Sequence, residues 1–305
     1  MKKAIDLRAN GKLLLTGEYL VLAGARALAL PVRFGQRLTV AASPGGEIEW
    51  TSDEMGRTWF SCRLDPVTLE VLSADKKGVA AELRRLLVAA RKLNQDFLAE
   101  KKGLHVRVSA DYPLEWGMGS SATLQYMVAR WAGVPPFDLY RQVARGSGYD
   151  IACAAHDSLL YYQLRKGHPE FMPAVAGKAL REHTRFAWLG KKQSSRKEVD
   201  AFLERLNFTE IDLVTVTKLA ESICDASTAD DLIRLVNEHE YLLGMILKKE
   251  PVASRFPWFP GAVKSLGAWG GDFVMFVSAD NEADKLLKKH GFGQVFRYTD
   301  LEIKA

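Results

Sequence analysis

The chain has 305 residues, 48% hydrophobic and 26% charged, which excludes a disordered or fibrous polypeptide and leaves room for two modest domains with cores of their own. Its formal net charge of +5 suits an anionic small molecule, and no Lys/Arg block interleaved with aromatics points to nucleic acid. Cys62, Cys153 and Cys224 are scattered and odd in number, as in a cytoplasmic protein with reduced thiols; neither a signal peptide nor a membrane partner is expected, because no apolar run is long enough.

The first third reads as strands and turns. Lys12-Leu13-Leu14-Leu15 runs to a turn at Thr16-Gly17-Glu18, and Tyr19 to Leu22 lead to Ala23-Gly24-Ala25. Strands are expected over 28–32, 37–42, 47–50 and 58–63. Residues 78–100 predict a long amphipathic helix, with Leu83, Leu86, Leu87, Ala90, Leu93 and Phe97 at helical spacing. A strand over 105–110 leads into Asp111-Tyr112-Pro113-Leu114-Glu115-Trp116-Gly117-Met118-Gly119-Ser120-Ser121-Ala122-Thr123, and a helix follows to 132. Helices near 136–145 and 148–156 and a strand over 158–164 come next. Turns marked by Gly167, Pro169, Pro173 and Gly177 fill 165–180. Beyond them the pattern predicts strands over 185–189, 273–278 and 294–298 and helices near 195–206, 209–225, 229–249 and 281–290. Strands and helices mix without strict alternation, so the fold class is α+β.

The glycine-serine segment carries the most chemistry. Gly117 and Gly119 remove side-chain bulk, so backbone N–H groups can approach an anion. The helix start adds free N–H groups and the positive end of the helix dipole, while Ser120 and Ser121 add hydroxyls for phosphate or a metal ion. A glycine turn before a capped helix is the plain structural alternative. Gly117-x-Gly119-x-x-Ala122 formally fits a dinucleotide fingerprint. That motif requires an acid-tipped strand about twenty residues on, where this chain has Pro135-Pro136-Phe137-Asp138 opening a helix. The P-loop and nucleophile-elbow patterns are absent.

Three further segments stand out. Gly146-Ser147-Gly148-Tyr149-Asp150 opens a helix, where Asp150 is either a first-turn cap partner or a carboxylate facing the phosphate loop. Gly261 to Asp272 is glycine-rich, either a tight connection or a second backbone wall of an anion site. Gly190-Lys191-Lys192-Gln193-Ser194-Ser195-Arg196 joins cations, hydroxyls and a helix start, able to cap that helix or to hold a phosphate or carboxylate.

The order of these segments is more specific than any one of them. Lys12-x-x-x-x-Gly17-Glu18-Tyr19, Pro113-x-x-x-Gly117-x-Gly119-Ser120-Ser121-Ala122 and Gly267-Ala268-x-Gly270-Gly271-Asp272 together resemble the three motifs of the GHMP kinase superfamily and bracket most of the chain. Gly-Glu-Tyr in the first motif and Gly146-Ser147-Gly148-Tyr149-Asp150-Ile151-Ala152 are similar to phosphomevalonate kinases, with mevalonate kinases next. The resemblance implies a two-domain fold, with an N-terminal domain like ribosomal protein S5 domain 2 over 1–175 and a ferredoxin-like C-terminal domain over 176–305. It implies ATP and Mg2+, with Gly117, Met118, Gly119, Ser120 and Ser121 around the phosphates and Ser121 reaching the metal. Asp150 would be the catalytic carboxylate and Lys12 its cationic neighbour. Glu18, Lys191, Ser194, Ser195, Arg196, Gly270 and Gly271 would serve the substrate.

The chain departs from the pattern at Met118, Thr123 and Trp269. Leu139 occupies the position where many mevalonate kinases carry a metal-binding Glu. The expected activity is phosphoryl transfer from ATP to phosphomevalonate or a related anionic acceptor. The alternatives are a mevalonate or sugar kinase of the same fold and a non-catalytic metabolite-binding protein.

Overall fold

In the computed structural model, which describes residues 5–100, 102–190, 208–267, 273–280 and 282–304, strands and helices gather into two units that interleave along the chain. One contains the chain up to Gly11, Phe34–Leu114 and Met118–Ala155; the other contains Lys12–Arg33, Glu115–Gly117 and the chain from His156 onward. Strands β1 (Ile5–Leu14) and β2 (Ala27–Ser43) each cross from one unit to the other, so the two strands expected at 28–32 and 37–42 are a single strand.

In the first unit, β3 (Ile48–Glu54), β4 (Arg57–Leu64), β5 (Val71–Ala74) and β6 (Gly103–Ala110) join β2 in the order β5-β4-β3-β6-β2. β3 and β6 run parallel; the other pairs are antiparallel. Along β6, Val106, Val108 and Ala110 are buried while His105 and Arg107 are exposed, the period of two that the sequence showed. Helix α1 (Lys77–Leu93) covers the sheet with Leu83, Leu86, Leu87 and Ala90. It stops seven residues short of its expected end. Asn94 turns the chain, its amide donating to the Ala132 carbonyl at 2.7 Å, and Arg91 gathers the carbonyls of Phe97 and Leu98. Phe97 is still buried in the core, which is why it fits the helical spacing without being helical. α2 (Ser120–Ala132), α3 (Pro136–Val143) and α4 (Tyr149–Ala155) complete this unit.

In the second unit, β9 (Thr184–Trp188), β10 (Ala262–Ser265), β11 (Phe273–Val277) and β12 (Val295–Arg297) form an antiparallel sheet in the order β10-β11-β9-β12. β11 is buried at every position, an apolar run with no alternation to read. β7 (Leu160–Arg165) and β8 (His168–Pro173) form a hairpin on Ala27–Ala29 of β2. Helices α5 (Lys178–His183), α6 (Glu210–Asp225), α7 (Ala229–Leu247), α8 (Ala283–Lys289) and the short α9 (Tyr298–Leu301) accompany them.

β8, α5 and β10 occupy stretches expected to be turns or a glycine-rich connection; Pro169 and Pro173 sit in a hairpin strand with an exposed side. Leu20–Ala23 is a 3-10 turn, not a strand. No helix among the described residues is long and apolar enough to cross a membrane, and the three cysteines are buried and form no disulfide with one another.

Candidate functional site

The glycine loop needs its glycines. Gly117 has φ 68° and Gly119 has φ 90°, both left-handed, and Gly119 is the residue before the first turn of α2. Its carbonyl accepts the Thr123 N–H at 3.0 Å, which starts the thirteen-residue helix. The early N–H groups of α2 therefore have no intrahelical partner and point toward the loop. Ser121 is exposed and Ser120 half-buried, while the Met118 side chain is fully buried, leaving Met118 its backbone to offer. Gln125, one turn on, donates its amide to Ser121 Oγ at 3.1 Å and fixes that hydroxyl.

Packing joins the start of α4, which carries Asp150, to the start of α2. Ala122 in the first turn of α2, Ile151 in the first turn of α4 and Tyr140 form one small buried cluster. Asp150 and Ser121 are thus the chain neighbours of two residues that share one apolar cluster. Asp150 is half-buried and its Oδ1 accepts the Ile151 N–H at 3.1 Å. The segment before it is closely packed: a Cβ on Gly146 would lie 2.7 Å from Tyr140 Oη, and one on Gly148, at φ 79°, 3.2 Å from the Phe137 ring.

In the second unit, Lys12 is half-buried on β1 and its Nζ donates to the Gly117 carbonyl at 3.1 Å. The cation is thus tied to the first glycine of the loop. Trp116, just before that glycine, is pinned edge-on between Phe273 and Phe296, at centroid distances of 6.2 and 5.3 Å.

Downstream of Lys12 the chain makes a strained turn. Gly17 has φ 79°, and a Cβ there would lie 2.8 Å from Ala27 Cβ. Tyr19 has φ 60° and ψ −45°, with the Leu20 N–H donating to the Glu18 carbonyl at 2.6 Å, a γ-turn in its rare positive-φ form.

Glu18, expected at the substrate, has a carboxylate with no exposure, paired by Oε1 to the Nζ of Lys264 on β10, itself fully buried. Lys264 also donates to the Ser265 carbonyl at 2.8 Å. Beside them, Glu240 accepts the Val252 N–H at 3.0 Å and the Ser265 N–H at 3.2 Å. His239 Nε2 accepts the Gly17 N–H at 3.1 Å.

Burial raises the Glu18 carboxyl to about 7 against the opposing pull of Lys264, and burial likewise raises Glu240. Burial first, and Lys264 second, hold His239 well below its ordinary value. A neutral imidazole accepting at Nε2 carries its proton on Nδ1. The 3.9 Å approach of Nε2 to Glu18 Oε2 is therefore not an ion pair.

Lys264, His239 and Glu240 were missed in the sequence. On α7 the apolar stripe reads Leu232, Leu235, Val236, His239, Glu240 and Leu243, so a polar pair on a core stripe was the available signal. Lys191, Ser194, Ser195, Arg196, Gly270 and Gly271 lie outside the described residues. Among the described residues no group of three His, Cys, Asp or Glu side chains is placed to hold a metal ion.

The chain shares the mixed α and β fold of the GHMP kinases. The mevalonate kinase of Methanococcus jannaschii superposes with a TM-score of 0.73 at 15% identity, over 100% of this chain and 99% of that one. The phosphomevalonate kinase of Streptococcus pneumoniae, in complex with phosphomevalonate and AMPPNP, gives 0.71 at 17% identity, over 96% and 99%. The galactokinase of Lactococcus lactis, complexed with galactose, gives 0.67 at 12% identity, over 99% and 94%. No protein-family model and no curated protein matches the sequence.

Proposed function

We propose that this protein is an ATP-dependent kinase of the GHMP type that transfers the γ-phosphoryl group to phosphomevalonate or a related anionic acceptor. The observation that carries it is the loop itself: two left-handed glycines opening directly on the N-terminus of a thirteen-residue helix, with an exposed serine hydroxyl in the first turn. The backbone N–H groups of Gly117 to Ser121 would hold the triphosphate. The Ser121 hydroxyl, oriented by Gln125, and the phosphate oxygens suit Mg2+, which needs few protein ligands when substrate phosphates supply the rest. When bound, that ion would neutralise charge on the transferring group.

Asp150 would accept the proton of the acceptor hydroxyl as its oxygen attacks the γ-phosphorus. Lys12, tied to the Gly117 carbonyl, would present its charge to the phosphoryl oxygens. The cation-rich segment containing Lys191 and Arg196 supports a phosphorylated acceptor over a neutral one.

Measuring ATP consumption with phosphomevalonate, mevalonate, galactose and no acceptor tests the assignment. Turnover on phosphomevalonate alone is expected. Turnover on mevalonate or galactose moves the acceptor class, and ATP binding without turnover on any acceptor removes the kinase.

A further inference from the structure

We propose that Glu18, Lys264 and His239 are positioning residues, a buried polar clamp that holds the Gly17–Tyr19 turn and through it sets Lys12 against the glycine loop. The proposal rests on the kinase reading for its catalytic consequence and on geometry for the clamp.

The turn cannot hold itself. Two residues, Gly17 and Tyr19, have positive φ, and Tyr19 has no glycine's excuse for it. A backbone in a sparsely populated region persists only where its surroundings over-determine it. Each of the three turn residues is gripped by a part of the chain distant in sequence. Gly17 gives its N–H to His239 on α7. Glu18 gives its carboxylate to Lys264 on β10. Tyr19 sinks its ring among Leu20, Ala25, Val216, Leu243 and Ile246. On the upstream side, Thr16 Oγ1 accepts the Leu28 N–H at 2.9 Å, fastening the turn to β2. Lys12 lies on β1, whose last residue, Leu14, is only two before Thr16, so a shift of the turn moves the register of Lys12 against the Gly117 carbonyl.

Stability does not account for the chemistry of the clamp. A buried ion pair is commonly no better than an apolar pair of the same shape, because the loss of hydration offsets the attraction. Lys and Glu are rarely buried outright. Here both have no exposed side-chain surface, and among the described residues Glu18 Oε2 and His239 Nδ1 have no hydrogen-bond partner. An apolar core would hold the same space; what it would lack is direction. Lys264 also stands two residues before Leu266-Gly267, where the third glycine motif opens, so one ammonium fixes the first motif's turn to the strand that delivers the third. Glu18 thus acts from the interior, by position, without touching substrate.

The test replaces both charges at once, Glu18→Leu with Lys264→Met, so that neither is left unpaired. Three quantities are read at neutral pH: the melting temperature, amide hydrogen exchange over residues 12–22, and steady-state kinetics with ATP and the acceptor the wild type uses. A positioning clamp predicts a cooperative fold melting close to the wild type, exchange in the turn faster by roughly tenfold, and kcat lower by roughly 10²-fold with the KM for ATP little changed. His239→Leu should speed exchange at Gly17 in the same way. A double variant that keeps wild-type kcat with an opened turn overturns the catalytic consequence. Unchanged exchange in both variants overturns the clamp. If the wild type turns over no acceptor, the kinase assignment has failed on its own, and the exchange measurement still decides the clamp.

Discussion

Replacing Lys264 with Met turns the buried charge cluster into a pH-dependent fault whose size follows from the groups around it. Lys264 is fully buried; Glu18 pairs with it directly, Glu240 feels its charge, and His239 is neutral beside it. In the wild type the Glu18 carboxyl sits at about 7, above its ordinary 4.5, because burial outweighs the attraction of Lys264. A group raised in the folded state contributes stability below its unfolded value and loses it as pH rises through the folded value. Without Lys264 that folded value climbs further, so above pH 7 the variant must keep a proton that the wild type has released.

The stability gap should therefore widen by about 1.4 kcal/mol per pH unit above pH 7, growing by about 3 kcal/mol between pH 7 and pH 9, and more if Glu240 also stays protonated. At pH 6 Glu18 is mostly protonated in both proteins. The gap should then shrink to about 1–2 kcal/mol, the lost hydrogen bond to the Ser265 carbonyl. Urea unfolding of both proteins at pH 6, 7, 8 and 9, with unchanged m-values, measures it. His239, held neutral by burial first and by Lys264 second, is mostly neutral folded and unfolded above pH 7 and adds little to the slope there. A gap that is flat or narrows with rising pH would refute the reasoning, since it would mean that Lys264 does not govern the ionisation of Glu18.

The other predictions concern the site. Asp150→Asn should lower kcat by roughly 10²-fold or more while leaving ATP affinity nearly unchanged; near-normal turnover would leave Asp150 the helix-end role its bond to the Ile151 N–H already gives it. Gly119→Val places a β-branched residue at φ 90°, with a strain of about 1–2 kcal/mol or more, and fills the phosphate approach; calorimetric titration should show weakened ATP binding to a folded protein, and unchanged affinity would remove the loop from the site. Lys191→Ala and Arg196→Ala should each raise the KM for phosphomevalonate far more than that for ATP, and less so at high salt; wild-type acceptor kinetics in both would move the acceptor away from that segment.

Read alone, the sequence settled the things that depend on neighbours along the chain. The start of α2 at Ser120 and its end at Ala132 are local events, decided by glycine and by helix termini, and the structure has them where the residues put them; the left-handed φ of Gly117 and Gly119 came with the structure, at residues that adopt it without cost. The core faces of α1 and β6 follow from periodicity in the same way. The early stop of α1 did not, because Asn94 is held by the Ala132 carbonyl, 38 positions away. β10 was hidden inside glycine-rich text, since a four-residue strand draws its stability from β11 and not from its own propensity. Glu18 looked like a turn residue or a substrate ligand because its partner lies 246 positions on. Only tertiary packing desolvates that carboxylate, aligns Lys264 with it and places His239 under the Gly17 amide. The glycine loop could be read from local sequence because backbone geometry makes it; the clamp beneath it could not, because burial and long-range charge make it.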